Sequence, residues 1–212
     1  MVSETKAVAR RRKLRDALVV AAERTIESEG LRGLKARELA TKVGCAVGAI
    51  YNVVTDLEEL IYAVNARTLA SLEAAVRDSG AGGGVEADSH DGAIKQLVRL
   101  ALAYMDFAAA HGPRWRAIFQ HQPPAGRETP DWYIADQMRL FSYVEQPLRA
   151  LLPEATGERR ATVARSLFSA VHGMVVLGLE EKLQLIPLPV LREQVTLIVE
   201  AIGNGLVADS RK

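Results

Sequence analysis

The 212-residue sequence predicts an all-α fold. Apolar residues recur at three- and four-residue spacing over almost the whole chain, no run alternates with the period of two that a half-buried strand needs, and β-branched residues are scattered. Glycine and proline clusters cut this pattern into nine helical segments.

The first helix is expected from about Thr5 to Glu29, with Leu14, Leu18, Ala21, Ala22 and Ile26 as its buried stripe and Gly30 free to take a left-handed ending. A second runs from near Leu34 to Gly44, and a short third from Val47 to Val54. Thr55 or Asp56 caps a long fourth helix through about Asp78, with Glu58 and Glu59 placed favourably in its first turn. "DSGAGGGVEADSHDG" reads as a polar connection, and its "GAGGG" lacks the preceding strand and spacing of a phosphate loop. Helices follow over about Asp91–Ala110, Arg114–Phe119, Asp131–Leu151, Glu158–Leu185 and Pro189–Val207, separated by "HGP", "QPPAGRETP", "LPEATG" and "IPLP".

Charge is distributed unevenly along the chain. Residues 1–55 hold 11 Lys and Arg against 6 Asp and Glu, whereas residues 56–212 hold 16 against 20. A basic head on an acidic body fits a head that meets a polyanion, because Lys and Arg displace counterions from phosphates. A single cysteine excludes an internal disulfide, and the basic run Arg10–Lys13 is followed by Arg15 and Asp16 rather than by an apolar signal core. The apolar stretch Ser166–Leu179 falls short of the roughly 20 residues that span a bilayer. A cytoplasmic protein without a membrane span is expected.

"ELATKVGCAVGAIYNVV" carries the sharpest local signal. Leu39, Ala40 and Val43 share one face of the second helix, Val47, Ile50 and Val53 one face of the third, and Gly44 stands at the corner. Two short helices crossing through a tight turn need a small residue at the close approach and a glycine at the reversal, the pattern of a helix-turn-helix. Such a pair cannot bury its own faces, and the first helix supplies the support.

Over residues 10–62 the chain resembles the TetR family of bacterial transcriptional regulators, through its basic start, "SEGLRGL", "KARELATKVG" and "AVGAIYNVVTDLEELI". Tyr51, Glu58 and Leu60 match the family pattern; Val54 replaces an aromatic and Leu57 a lysine, so the phosphate contact of that lysine does not carry over. "FAAAHGPRWRAIF" and "SLFSAVHGMVVLGL" resemble the subgroup with a Trp-His-Gly-like signature in its regulatory domain. The resemblance implies a helix-turn-helix DNA-binding domain over residues 1–55 and a helical-bundle, ligand-binding and dimerisation domain over residues 56–212.

In that arrangement the third helix enters a major groove with Ala46, Gly48, Ala49 and Asn52, the side chains not used for packing. Asn52 suits an adenine edge, its alternative being a solvated helix residue; the alanines suit thymine methyls, and DNA shape supplies further specificity. The resemblance implies a phosphate contact by Tyr51, whose alternative is a half-buried ring. Lys35 and Arg37 open the second helix, where amides and dipole favour phosphate. Arg10–Lys13 either reach a minor groove or trail in solvent.

Tyr104, Phe107, Trp115, Phe119, Trp132, Tyr133, Met138 and Phe141 gather most aromatics into the fifth to seventh helices. They are plain core or, as the resemblance implies, walls of an effector cavity, largely apolar, with His172 or Arg116 as a polar anchor. The four histidines show no metal-ligand spacing and Cys45 has no resolving partner, so no metal or cofactor is expected and Cys45 reads as a small filler rather than a redox switch. The expected partners are a double-stranded DNA operator, a small-molecule effector and a second copy of the chain, paired through the last two helices, whose apolar faces are too broad for one subunit to cover. Competing readings are a helical-cavity enzyme or ligand carrier, for which no nucleophile elbow or phosphate loop is present, and a sequence-indifferent architectural DNA binder.

Overall fold

The computed structural model describes residues 6–81, 89–179 and 186–209, and all regular structure among them is helical. The helices are α1 (Lys6–Glu29), α2 (Ala36–Val43), α3 (Val47–Ile50), α4 (Leu57–Val76), α5 (His90–Ala110), α6 (Gly112–Gln120), α7 (Asp131–Leu151), α8 (Gly157–Leu179) and α9 (Leu188–Asp209). Residue 5, most of the glycine-rich connection and the expected extension of α8 to Leu185 lie outside the described residues.

The chain divides into two compact units that interleave along the sequence: Met1–Ala70 with His111–Tyr133, and Ser71–Ala110 with Ile134–Lys212. In the first, α1 buries Leu18, Val19, Ala22, Thr25 and Ile26. Leu18, Val19, Ala22 and Ile26 share a core with Leu39 and Ala40 of α2, Ile50 of α3, Val54 in the connection after it, Leu60 and Val64 of α4, and Ala117 of α6. Each fully buried Leu or Ile contributes about 1.5–3 kcal/mol of transfer free energy. Thr25 joins α1 to α2: its Oγ1 donates to the Ala21 carbonyl at 2.8 Å and accepts from Lys42 Nζ at 2.8 Å.

Three local features differ from expectation. A 3₁₀ turn, Leu31–Gly33, precedes α2, which therefore starts at Ala36 rather than near Leu34. Gly30 has positive φ (70°) but extended ψ (−173°), a region nearly exclusive to glycine, so the chain leaves α1 by an outward step rather than a left-handed cap. The third helix is one α-turn, after which Asn52 and Val53 donate to carbonyls three residues back. Val47 stands at the start of this turn and is 39% exposed, whereas Ile50 is fully buried.

The fourth helix starts as the sequence indicates. Asp56 Oδ1 accepts the Glu59 N–H at 3.0 Å, and Glu59 Oε2 reaches back to the Thr55 N–H at 2.9 Å, satisfying two amides that a helix start leaves free. α4 ends in a wider turn over Arg77–Ala81.

In the second unit α5 packs on α9 and α8, and α8 on α9. α9 buries Leu191, Val195 and Val199 at four-residue spacing; a Cβ on Gly203 would lie 2.7 Å from Ile94 Cγ1, so only glycine permits this approach of α9 to α5. α8 is long and apolar enough to cross a membrane by length and composition, with mean hydropathy 1.4 over an 18-residue window, of which only 22% is buried.

Candidate nucleic-acid interface

Gly44 sets the angle between α2 and α3. It lies in the left-handed region (φ 76°, ψ 39°), its N–H reaches the Ala40 and Thr41 carbonyls, and the Cys45 N–H reaches the Ala40 carbonyl at 2.9 Å. This six-to-one closure ends α2 and turns the chain directly into α3. Cys45 itself is half-buried against the core of the unit.

With Ile50 buried, the opposite side of α3 faces solvent. Ala46, Gly48, Tyr51 and Asn52 are exposed and Ala49 is half-exposed. This face is small and uncharged, and Tyr51 projects beside it. Lys35 and Arg37 are exposed at the start of α2. The Lys35 ammonium donates to Glu38 Oε1 at 3.0 Å, and that bond, together with the Glu38 charge, raises its pKa above the ordinary lysine value. Lys35 therefore stays cationic, with two of its three ammonium donors not used by Glu38.

The basic run at the chain start is helical. Lys6, Arg10 and Arg11 line a shallow cleft of about 480 Å³ with Leu14, Ala49, Asn52 and Val53, which places three cations beside the end of α3. Arg11 Nη2 donates to the Asn52 carbonyl at 2.6 Å, and Arg15 pairs with Glu59 at 3.0 Å. α1 thus braces both α3 and the start of α4. The sequence signal for this bracing was the spacing of Arg11 and Arg15, one helical turn apart.

The first unit also holds α6 and the segment after it. Arg114, 12% exposed, pairs with Glu23, and Arg67 pairs with the same carboxylate at 3.0 Å. His121 Nε2 lies 2.5 Å from Glu58 Oε2, and Arg127 bonds Asp56. Burial alone would raise the Asp56 carboxyl; the hydrogen bond and charge of Arg127 and the Glu59 and Glu58 amides outweigh it and hold the pKa below the usual range.

The nine residues read as cavity candidates do not form one group. Trp115, Phe119, Trp132 and Tyr133 belong to the first unit, and Tyr104, Phe107, Met138, Phe141 and His172 to the second. In the first, Trp115 is fully buried and meets Phe119 edge-on at 5.6 Å, while Trp132 and Tyr133 border Tyr62. In the second, Phe168 joins the set: it stacks on His172 at 5.5 Å and meets Tyr104 and Phe141 at 5.4 Å each. Phe168 precedes His172 by one turn of α8, the spacing by which it was recognisable. Tyr104 Oη lies 2.6 Å from His172 Nδ1, and burial lowers the His172 pKa below its ordinary value. Phe107 is buried in α5, whereas Met138 is 40% exposed and touches Arg165. Arg116, the other suggested anchor, lies beside Gly112 within α6.

A family model described as tetracyclin repressor-like, C-terminal domain, matches residues 97–202. The HTH-type transcriptional regulator Rv0681 of Mycobacterium tuberculosis is 31% identical over 175 residues, 81% of this chain and 73% of that protein. The chain belongs to the TetR family of transcriptional regulators. The regulator's fold recurs in a protein from Rhodococcus sp. RHA1 (TM-score 0.70, 23% identity, covering 92% of this chain and 95% of that one). It recurs also in a TetR-family transcriptional regulator from Streptomyces coelicolor (TM-score 0.63, 20% identity, 94% and 82% covered) and in the TetR-family regulator PfmR from Thermus thermophilus (TM-score 0.56, 16% identity, 90% and 97% covered). The regulator is an all-α, DNA-binding transcription regulator of TetR type with a helix-turn-helix.

Proposed function

We propose that the regulator is a cytoplasmic repressor without enzymatic activity, which binds a near-palindromic operator as a homodimer and leaves it when a small, largely apolar effector binds. The observation that carries this reading is the exposed, uncharged face of α3 set between the Lys35–Arg37 corner and the Lys6, Arg10 and Arg11 cleft. Base edges are read at Ala46, Gly48, Ala49 and Asn52, and phosphates are held by Lys35, Arg37 and Tyr51. The DNA-binding domain is assigned to residues 1–55 and the effector-binding and dimerisation domain to residues 56–212.

The dimer forms through α8 and α9, where Leu177, Val190, Leu197 and Ile198 remain 37–56% exposed although their helices bury another stripe. That uncovered face, rather than a bilayer, accounts for the apolar character of α8, which also carries Arg165, Ser166 and Ser169 on exposed positions. The two-fold axis presents two α3 helices to successive major grooves. The effector's pocket draws on the candidate aromatics, for which the Tyr104, Phe141, Phe168 and His172 rings supply a mostly apolar wall with one polar edge. Effector binding favours the conformation whose heads are wrongly spaced for DNA.

Footprinting on DNA upstream of the protein's own gene, with excess random competitor, tests the reading. A protected near-palindrome is expected. Uniform protection at every sequence would instead identify an architectural binder.

A further inference from the structure

We propose that Tyr62 and Asn65 of α4 form a binding site for a neutral carboxamide or lactam. This goes beyond operator release and rests on residues of the first unit alone. Asn65 is 0% exposed, and neither its Oδ1 nor its Nδ2 has a hydrogen-bond partner among the described residues. Reversing the amide would change nothing, because both ends are unbonded. Tyr62, three residues earlier on the same helical face, is 3% exposed, and its buried hydroxyl also lacks a partner among the described residues.

The fold satisfies comparable groups where they serve packing. Thr68, one turn further along α4 and equally buried, bonds back to the Val64 carbonyl at 3.0 Å, and Thr25 is bonded on both sides. Asn65 makes no such bond. An apolar side chain of similar size would fill its position without leaving two polar atoms unpaired, so the amide is built for something that brings complementary atoms with it.

The donor and acceptor lie side by side on a planar group, and their complement is another amide: its N–H donates to Asn65 Oδ1, its carbonyl accepts from Nδ2, and the Tyr62 hydroxyl bonds the remaining lone pair. A carboxylate lacks the donor, an ammonium lacks the acceptor, and either would bring a net charge onto a face shut off from water. The border is aromatic and suits a flat neutral group. The Tyr62 ring meets His121 at 5.0 Å and Tyr133 at 5.1 Å edge-on, with Trp132 at 6.3 Å.

The test uses the full chain labelled with ¹⁵N-asparagine, in which the Asn65 side-chain NH₂ signals are those missing from the Asn65→Leu variant. Neutral carboxamides from acetamide to benzamide are titrated in, each beside the nitrile of the same skeleton, and sodium benzoate serves as the anion. At least one carboxamide is expected to shift the Asn65 pair and to bind at least tenfold more tightly than its nitrile and than benzoate. The advantage disappears in Asn65→Leu and shrinks in Tyr62→Phe, which keeps the ring and the packing. If carboxamides and nitriles bind alike, if none moves the Asn65 signals, or if crystals show fixed waters on Asn65 that no carboxamide displaces, the assignment is wrong. Repeating the titration with bound operator separates the two readings. A shift at Asn65 without release of DNA keeps this site and separates it from operator release, whereas release by molecules that leave Asn65 unmoved, with no carboxamide moving it either, supports release and contradicts the site.

Discussion

Gly48→Gln separates the stability of α3 from its contact with DNA. Position 48 is helical, lies on the exposed face, and a Cβ added there meets no atom within 4 Å. Glycine costs a helix roughly 0.5–1 kcal/mol relative to good helix formers, and a one-turn helix places the gain from Gln at the lower end, about 0.5 kcal/mol. For a unit of this size that raises the unfolding midpoint by about 2–4 °C. The same side chain would project from the surface proposed to meet base edges, and specific binding should fall at least tenfold, equivalent to about 1.4 kcal/mol. Circular dichroism melts give the first quantity. Fluorescence anisotropy with operator and random duplexes gives the second. A variant that is slightly more stable yet impaired on operator is expected. One that binds operator like the parent would refute the placement of α3 against DNA, and one that melts earlier would refute the open surroundings of Gly48.

Asn52→Ala should relax preference at one operator base pair by roughly 1–3 kcal/mol, whereas Lys35→Ala should weaken all DNA alike and lower the salt slope by about one unit, both read by anisotropy against salt. Leu197→Glu places a charge on the exposed stripe of α9 and should yield a monomer in sedimentation with helicity intact. Asp56 and Glu73 have depressed folded pKa values, Asp56 through Arg127 and Glu73 through Arg139 and Tyr143, each against an opposing burial effect. Their stabilisation is complete above the ordinary carboxylate range and is lost as pH falls through the folded values; acid melts of Asp56→Asn and Glu73→Gln should show a flatter loss than the parent. His172 is depressed by burial, so its contribution is present above pH 6.5 and declines as pH falls towards the folded value; His172→Gln should remove that slope from melts between about pH 7 and 5.

The first three helices were legible because their signals are local. Leu18, Ile26, Leu39 and Ile50 fall at helical spacing, Gly44 marks the left-handed corner between α2 and α3, and Asp56 caps α4 where expected. The membership of α6 in the first unit was not legible, since Arg114 meets Glu23 across 91 residues of sequence and no periodicity encodes that pairing. For the same reason the aromatic candidates looked like one cluster although Trp115 and Tyr104 belong to different units. The exposure of Val47 follows from the brevity of α3, which pattern alone does not fix. Asn65 was invisible for another reason: a polar residue in an amphipathic pattern is read as a solvated position, and only its burial shows otherwise.

On this mechanism α3 reads sequence from the two halves of a dimer. Selection of bound duplexes from a random DNA pool, with the wild-type chain and Gly48→Gln in parallel, tests it most directly. The wild type should enrich a near-palindrome whose half-sites lie about one helical turn or a multiple of it apart, and Gly48→Gln should lose that enrichment while still binding DNA. Equal enrichment of all sequences, or an unchanged motif with Gly48→Gln, would contradict it.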